Sequence, residues 1–364
     1  MKTTVPDEST IHSAFKNILT KLKEKPLESL TDIFFHQKTD QETETLKFLL
    51  KENEVIIKKI TSDNFNQTFK IEYFLKNFKQ KTEKEAHDIS FWTTLILHQE
   101  KWFLGNKTDY LKVKAKQENW RTIKGQRINF YFDYGIKKRT DEIMCTISEE
   151  ELSKIETLFS HKISQPVTYF ICDDLKSLNE LGFKKSFSSF DSLISIHPCD
   201  LYEMTQFVIR QISSPPQFLL DGFSVYYAKF ISKVSNDTLS FNASHIDRMA
   251  KEIIFQAPYP SIKTLLKNKN YYEAIHILYL YTLIFTSKNQ KINYTLIFLA
   301  APTSFIKFLS ENDFPHLEPN KRIESIIQIL KTNEPKETSK KFKLIFKISL
   351  RKAEKLWKKN LKQK

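Results

Sequence analysis

Glycine is the residue this chain largely does without. Among 364 residues there are five, Gly105, Gly125, Gly135, Gly182 and Gly222, and no two stand closer than ten positions. A loop that wraps a phosphate, or an elbow that lifts a nucleophile out of a sheet, needs closely spaced residues without a Cβ, because its backbone turns sharply or touches the ligand. The G-x-G-x-x-G, G-x-x-x-x-G-K and G-x-S-x-G patterns are therefore absent by arithmetic, and with them the usual dinucleotide loop, P-loop and nucleophile elbow. Histidine is equally dispersed: nine residues, never closer than eleven apart. An intact H-E-x-x-H zinc helix needs two histidines four apart, so it is excluded too.

Cys145, Cys172 and Cys199 fall 27 positions apart. That spacing matches no zinc ribbon or C-x-x-C redox pair, and an odd, sparse count argues against a secreted disulfide scaffold. A hydrophobic share of 40% with 13% aromatics supports packed cores, and the length suggests two domains. The opening MKTTVPDEST has no apolar stretch of the kind a secretory signal carries. The longest apolar candidate, Ile277 to Phe285, falls short of the ~18 residues of a spanning helix. The expectation is a soluble, cytoplasmic protein without a transmembrane segment.

Charge is unevenly placed. Lys336 to Lys364 carries 12 basic against 2 acidic residues, leaving 45 against 41 over the rest of the chain. Any electrostatic partner therefore concerns the C-terminal segment. Seven arginines stand against 50 lysines. Phosphate forks and base readout favour Arg, so specific nucleic-acid recognition is not expected.

The pattern along the chain predicts an α+β fold in two domains, 1–115 and 128–364, joined by a polar, basic connector at 116–127. In the first, Ile11, Ala14, Phe15, Ile18, Leu19 and Leu22 mark a helix, and a second short one covers Leu27 to Phe35. Strands follow at Glu54 to Thr61, Phe69 to Phe74, His87 to His98 and Lys101 to Leu104. This helix-plus-antiparallel-sheet order, closing on HDISFWTTLILH and KWFL, resembles nuclear-transport-factor-like or cystatin-like domains, whose last hairpin commonly carries a Trp. The resemblance implies a curved sheet around a helix, serving as a ligand pocket or as a packing module. In the second domain, strands fall at Ile128 to Tyr134, Pro166 to Cys172 and Leu193 to Ile196. A capping-box pattern at Ser148 to Glu151 predicts a helix reaching His161, and the chain reads as helical from Asp200 onward.

Two adjacent helices carry the most specific signal. LYEMTQFVIRQ (Leu201 to Gln211) has Leu201, Met204, Val208 and Ile212 on one stripe, with Asp200 as N-cap. Tyr202 and Gln206, four apart, lie one above the other beside Glu203. PPQFLLDGFSVYYAKF starts on Pro215 and Pro216 and presents Asp221, then Gly222, where another backbone can approach closely.

This layout resembles the peptidase-MA-like branch of the gluzincin metallopeptidases, whose H-E-x-x-H helix is followed by a W-L-x-E-G-x-A-x-Y helix bearing the third zinc ligand. On that pattern Tyr202 and Gln206 stand at the histidine positions and Glu203 at the general base. Phe218 stands for the Trp, Leu219 for the Leu, Asp221 for the ligand glutamate and Gly222 for the Gly, with Ser224 and Tyr226 completing it. A preceding PVTYFIC strand and ISIHPCD segment, a late SFIKFL helix and a terminal ISLRKAEKLWKKNL helix with Glu354 and Trp357 in register extend the resemblance over Ile128 to Leu361. It implies a gluzincin-like domain with a small sheet and a mostly helical C-terminal half.

The substitutions decide the chemistry expected of it. In the family it resembles, catalytic zinc takes two imidazoles, a carboxylate and an open water position. Both imidazoles are missing: Tyr202 is neutral at pH 7, Gln206 offers an amide oxygen suited to hard cations, and Asp221 is one methylene short. Without a metal-activated water, Glu203 has no nucleophile to serve. The reading is a pseudopeptidase with no metal and no cofactor, binding a protein or peptide partner through the remnant cleft at Glu203, Asp221 and Tyr226; its oligomeric state is open. The same residues also read as structural, with Glu203 hydrogen-bonded to Tyr226 or Tyr227 or paired with a lysine. A competing reading is a hydrolase using Glu203 and Asp221 without zinc, or with a relocated metal in the cluster His197, Cys199, Asp200 and Glu203, although His197 and Cys199 share a side only if the segment is extended. Asp173 and Asp174 read as a turn or helix cap, and His245 as a half-buried helix residue.

At the C-terminus Leu350, Ala353, Leu356, Trp357 and Leu361 form one stripe among lysines. Such a helix can lie on an anionic membrane or a nucleic-acid backbone. The resemblance favours docking of the stripe on the helical half, with Trp357 as anchor.

Overall fold

In a computed structural model the chain divides into two compact units, Met1–Trp120 and Arg121–Lys364. The structure describes residues 6–24, 54–62, 68–78, 87–98, 101–105, 107–134, 139–181, 183, 186–188, 192–232, 234, 243–256, 259–267, 271 and 294–363.

The first unit opens with α1 (Glu8–Glu24), where the apolar stripe predicts it. Strands β1 (Glu54–Ser62), β2 (Thr68–Phe78), β3 (His87–His98) and β4 (Lys101–Gly105) follow, paired antiparallel in sequence order. Ile11, Phe15, Ile18 and Leu22 of α1 bury against Phe69, Ile71, Tyr73 and Leu95 of the sheet. Trp102 packs on Phe69, ring centres 5.5 Å apart. The helix expected at Leu27 to Phe35 lies outside the described residues, as does Ile277 to Phe285. The unit closes with α2 (Lys107–Gln117).

The second unit is built on a mixed five-stranded sheet. Its strands are β5 (Arg121–Lys124), β6 (Ile128–Phe132), β7 (Val167–Ile171), β8 (Phe187–Ser188) and β9 (Ser192–Ser195), in the order β5-β6-β7-β9-β8. The central β6, β7 and β9 are parallel. The connector expected at 116–127 is therefore not one: it holds the end of α2, then β5, which pairs with β6 from Arg121↔Phe132 to Lys124↔Asn129. What closes this hairpin is a long-range contact that local polarity does not reveal. The Glu149 carboxylate accepts from the amides of Arg127 (2.9 Å) and Ile128 (2.7 Å). A Cβ at Gly125 would lie 2.0 Å from Glu149 Oε1 and 2.8 Å from the Ile128 carbonyl, so only glycine fits that turn.

Helix α3 (Arg139–Phe159) starts earlier than the capping-box reading has it. Ser148 sits mid-helix, donating to the carbonyls of Met144 (2.8 Å) and Pro198 (2.6 Å), a use of serine that competes with capping. Helix α4 (Leu175–Glu180) is capped by Asp174 as expected, and after β8 and β9 the described remainder is mostly helical. It comprises α5 (Leu201–Ile212), α6 (Gln217–Tyr226) running into a π-turn at Tyr227–Ile231, α7 (Ile246–Gln256), α8 (Ile262–Leu265), α9 (Tyr294–Glu311), α10 (Arg322–Leu330), α11 (Pro335–Phe346) and α12 (Leu350–Gln363). This is an α+β chain with a helical C-terminal half. Among the described residues no helix is long and apolar enough to cross a membrane.

Helix α12 docks. Leu350, Ala353, Trp357 and Leu361 are buried, and Trp357 donates its indole N–H to Ser304 Oγ at 3.1 Å. Burying a Trp side chain withdraws about 200 Å² from water, on the order of 5 kcal/mol. Leu356, placed on the stripe by spacing, is instead 41% exposed. The inward position goes to Glu354, held by the Ile262 amide at 3.1 Å and by Lys358 at 2.7 Å.

Candidate functional site

The site is set by how α5 begins. Asp200 caps it, accepting from the Glu203 amide at 3.1 Å while its other oxygen accepts from Ser195 Oγ at 2.7 Å. The Asp200 amide donates to the Tyr169 hydroxyl at 3.1 Å, and that hydroxyl donates to the His197 carbonyl at 2.6 Å. The cap is thus locked to strands β7 and β9, and α5 leaves the sheet in a fixed direction. Helix α6 is fixed from its other side: a Cβ on Gly222 would meet the Pro302 carbonyl oxygen of α9 at 2.6 Å. The close backbone approach expected at Gly222 is present.

Between these helices Tyr202, Gln206 and Asp221 converge. Asp221 Oδ1 accepts from the Tyr202 hydroxyl (2.7 Å), Gln206 Nε2 (3.1 Å) and Gln217 Nε2 (2.6 Å). Its Oδ2 accepts from the Tyr271 hydroxyl at 2.7 Å. Gln206 in turn accepts, through Oε1, from Arg210 at 2.7 Å, and Arg210 donates to the Ser188 carbonyl and hydroxyl at 3.2 and 2.8 Å. Burial, then the negative charges of Asp221 and Glu203, push the Tyr202 phenol well above its ordinary range. Burial and Asp221 do the same to Tyr271. Both phenols are held as neutral donors.

This donor set does not fit a catalytic zinc. Asp221 receives four donors, three on Oδ1 and one on Oδ2, so its charge is already met by hydrogen bonds. The Gln206 amide oxygen, the atom suited to a hard cation, points at the Arg210 guanidinium, and a neutral phenol stands where an imidazole would be needed. The positions meet in space, but they meet as a hydrogen-bonded knot.

The other expected site residues divide. Glu203 is buried beside Tyr202. Tyr226 stacks on Phe230, ring centres 5.1 Å apart, and takes no part in the hydrogen bonds to Asp221. Glu203, Asp221 and Tyr226 are 6%, 6% and 8% exposed, so a ligand would reach them only by displacing their neighbours. Tyr227, weighed as a partner of Glu203, donates instead to Glu151 at 2.9 Å. At the alternative metal cluster, Cys199 is buried, its thiol pushed up to about 11 by that burial, and Asp200 is committed to its cap. Among the described residues no three His, Cys, Asp or Glu side chains are placed to hold a metal ion. His245 sits exposed in a short 3-10 turn, Ala243–His245, not half-buried in a helix.

Gln217, Arg210 and Tyr271 were not anticipated. Two of them carried a signal, since Gln217 stands four before Asp221 and Arg210 four after Gln206, each on the same helix face. Tyr271, fifty residues beyond Asp221, carried none. Away from this knot, an open concavity of about 770 Å³ lies along α7 and the end of α12, lined by Arg248, Glu252, Phe255 and Lys362 among others. Compared with models of protein families and with curated proteins, the chain matches none.

Proposed function

We propose that this protein is a catalytically inactive, peptidase-like module that works in the cytoplasm by binding or scaffolding a protein or peptide partner. The observation that carries the reading is the convergence of Tyr202, Gln206 and Asp221. Three positions at which the resemblance implies zinc ligands meet between two helices, and their side chains satisfy one another. On this reading the former catalytic centre has become a clamp that fastens α5, α6 and the segment bearing Tyr271. Binding then falls to the surface of the domain, because the clamp residues are buried.

Metal analysis tests the catalytic half of the proposal. After expression with added zinc and exhaustive dialysis, the protein should hold less than about a tenth of an equivalent, against the full equivalent expected of a structural or catalytic site. A full equivalent, retained through dialysis and lost in an Asp221→Ala variant, would overturn the reading.

A further inference from the structure

We propose that the outward face of the last two helices, α11 and α12, docks on an anionic lipid bilayer. The inference does not rest on the pseudopeptidase reading. In α12 the exposed positions Arg351, Lys352, Lys355, Leu356, Lys359 and Lys362 fall within an arc of about 140° at 100° per residue. No acidic residue interrupts that arc. In α11 the exposed Lys336, Lys340 and Lys343 flank Leu344, with Glu337 the one acidic residue beside them. Lys347, exposed and left-handed at φ 55°, turns the chain from one helix into the next.

The apolar residues make this face more than a solvated lysine surface. Five large hydrophobic side chains are exposed among the described residues, and three of them belong to this region. Leu344 is 67% exposed and Leu356 41%, each set among lysines. Phe255 of α7 is also 41% exposed, with Lys362 Nζ 5.1 Å from its ring centre. Protruding leucines ringed by lysines match the interfacial region of a bilayer, where acyl chains receive the apolar tips and anionic headgroups the ammonium groups.

A nucleic acid would use the face less well. Its backbone gives an aliphatic tip nothing to bury in, and single strands are held by exposed aromatic platforms. Here Trp357, Phe342 and Phe346 of the two helices are all turned into the core, and the exposed ring beside them, Phe255, already has the Lys362 ammonium over its face. Eight of the nine exposed basic residues are lysines, point charges rather than the phosphate-matching forks of arginine.

The test is sedimentation of the full-length protein with vesicles of phosphatidylcholine alone, or containing about 30 mol% phosphatidylglycerol. Binding is expected to the anionic vesicles only, weakening steeply between about 50 and 500 mM salt. The triple variant Lys352→Glu, Lys355→Glu, Lys359→Glu should lower the partition coefficient at least about 30-fold. The pair Leu344→Ser, Leu356→Ser keeps the charge and should lower it at least about 5-fold. All five positions are exposed, and unchanged circular dichroism verifies the fold of each variant. Equal binding to neutral vesicles, or no binding to anionic ones, would overturn the proposal. So would binding to single-stranded RNA that matches vesicle binding in strength and is unaffected by the leucine pair.

Discussion

Replacing Asp221 by alanine separates a structural clamp from a vestigial site. The carboxylate accepts four hydrogen bonds at 2.6 to 3.1 Å in a buried setting. Its removal leaves two phenols and two amide N–H groups facing a void, each unsatisfied donor costing about 1–3 kcal/mol. Relaxation and shared geometry keep these from adding, so the expected loss is about 4 kcal/mol, a large part of the 5–15 kcal/mol that typically holds a domain. Tyr202→Phe alone removes one hydrogen bond to a charged group, about 1.5–3 kcal/mol. In the Asp221→Ala background the same change should cost less than about 0.5 kcal/mol, because its acceptor is already gone. The assay is urea unfolding of the four members of this cycle, with hydrogen exchange of peptides spanning 201–226 to localise the effect to α5 and α6. A cost for Asp221→Ala below about 0.5 kcal/mol, or strict additivity of the two changes, would refute the clamp.

Two further outcomes follow from local geometry. Gly222→Ala drives a Cβ to 2.6 Å from the Pro302 carbonyl oxygen, a backbone atom that cannot swing aside. It should cost about 1–3 kcal/mol in thermal or urea unfolding, and a neutral result would mean that α6 and α9 are not in contact there. At the ends of β6 and β7, burial, reinforced by the charges of Asp173 and Asp174, pushes the Asp133 carboxyl up to about 6 from the ordinary 3.8, although the Asp173 amide donates to it at 2.8 Å. The folded protein therefore holds a proton that the unfolded chain releases between about pH 4 and 6, so this group makes stability fall as pH rises through that window. Asp133→Asn, still able to accept from Asp173, should be indistinguishable from the parent near pH 4 and about 1–2 kcal/mol more stable at pH 7.5, half-burial trimming the full shift. A difference independent of pH would show that the carboxyl titrates normally.

Where the fold was legible, the signal was local. The alternation at His87 to His98 and the 3.6-residue stripe from Ile11 to Leu22 each report a face that one element must bury, and the apolar run at Val167 to Ile171 reports a central strand buried on both sides. Misreadings arose where a polar side chain serves a distant partner. Glu149 looks like part of a helix cap, yet it closes the β5–β6 turn 21 residues upstream through the Arg127 and Ile128 amides. Ser148 looks like an N-cap and instead bonds the Pro198 carbonyl, 50 residues away. Leu356 shares the spacing of a buried stripe, but the inward place went to Glu354 because the start of α8 offers it an amide. No periodicity encodes such pairings, since they depend on which elements the topology brings together.

The site shows the same division at finer grain. An i, i+4 spacing puts positions 202 and 206 on one face of α5, and Asp221 of α6 meets both there. The side chains then decide what the meeting does. Two imidazoles and a glutamate converge lone pairs that a cation can accept; a phenol, an amide and an aspartate instead pair donors with an acceptor and need no cation. Tyr271 completes the exchange by taking the last oxygen of Asp221. A buried carboxylate left with fewer donors would bear the full desolvation cost of its charge. Tyr202, Gln206, Gln217 and Tyr271 offset that cost at Asp221, and Arg210 acts on it only through the Gln206 amide that it holds in place.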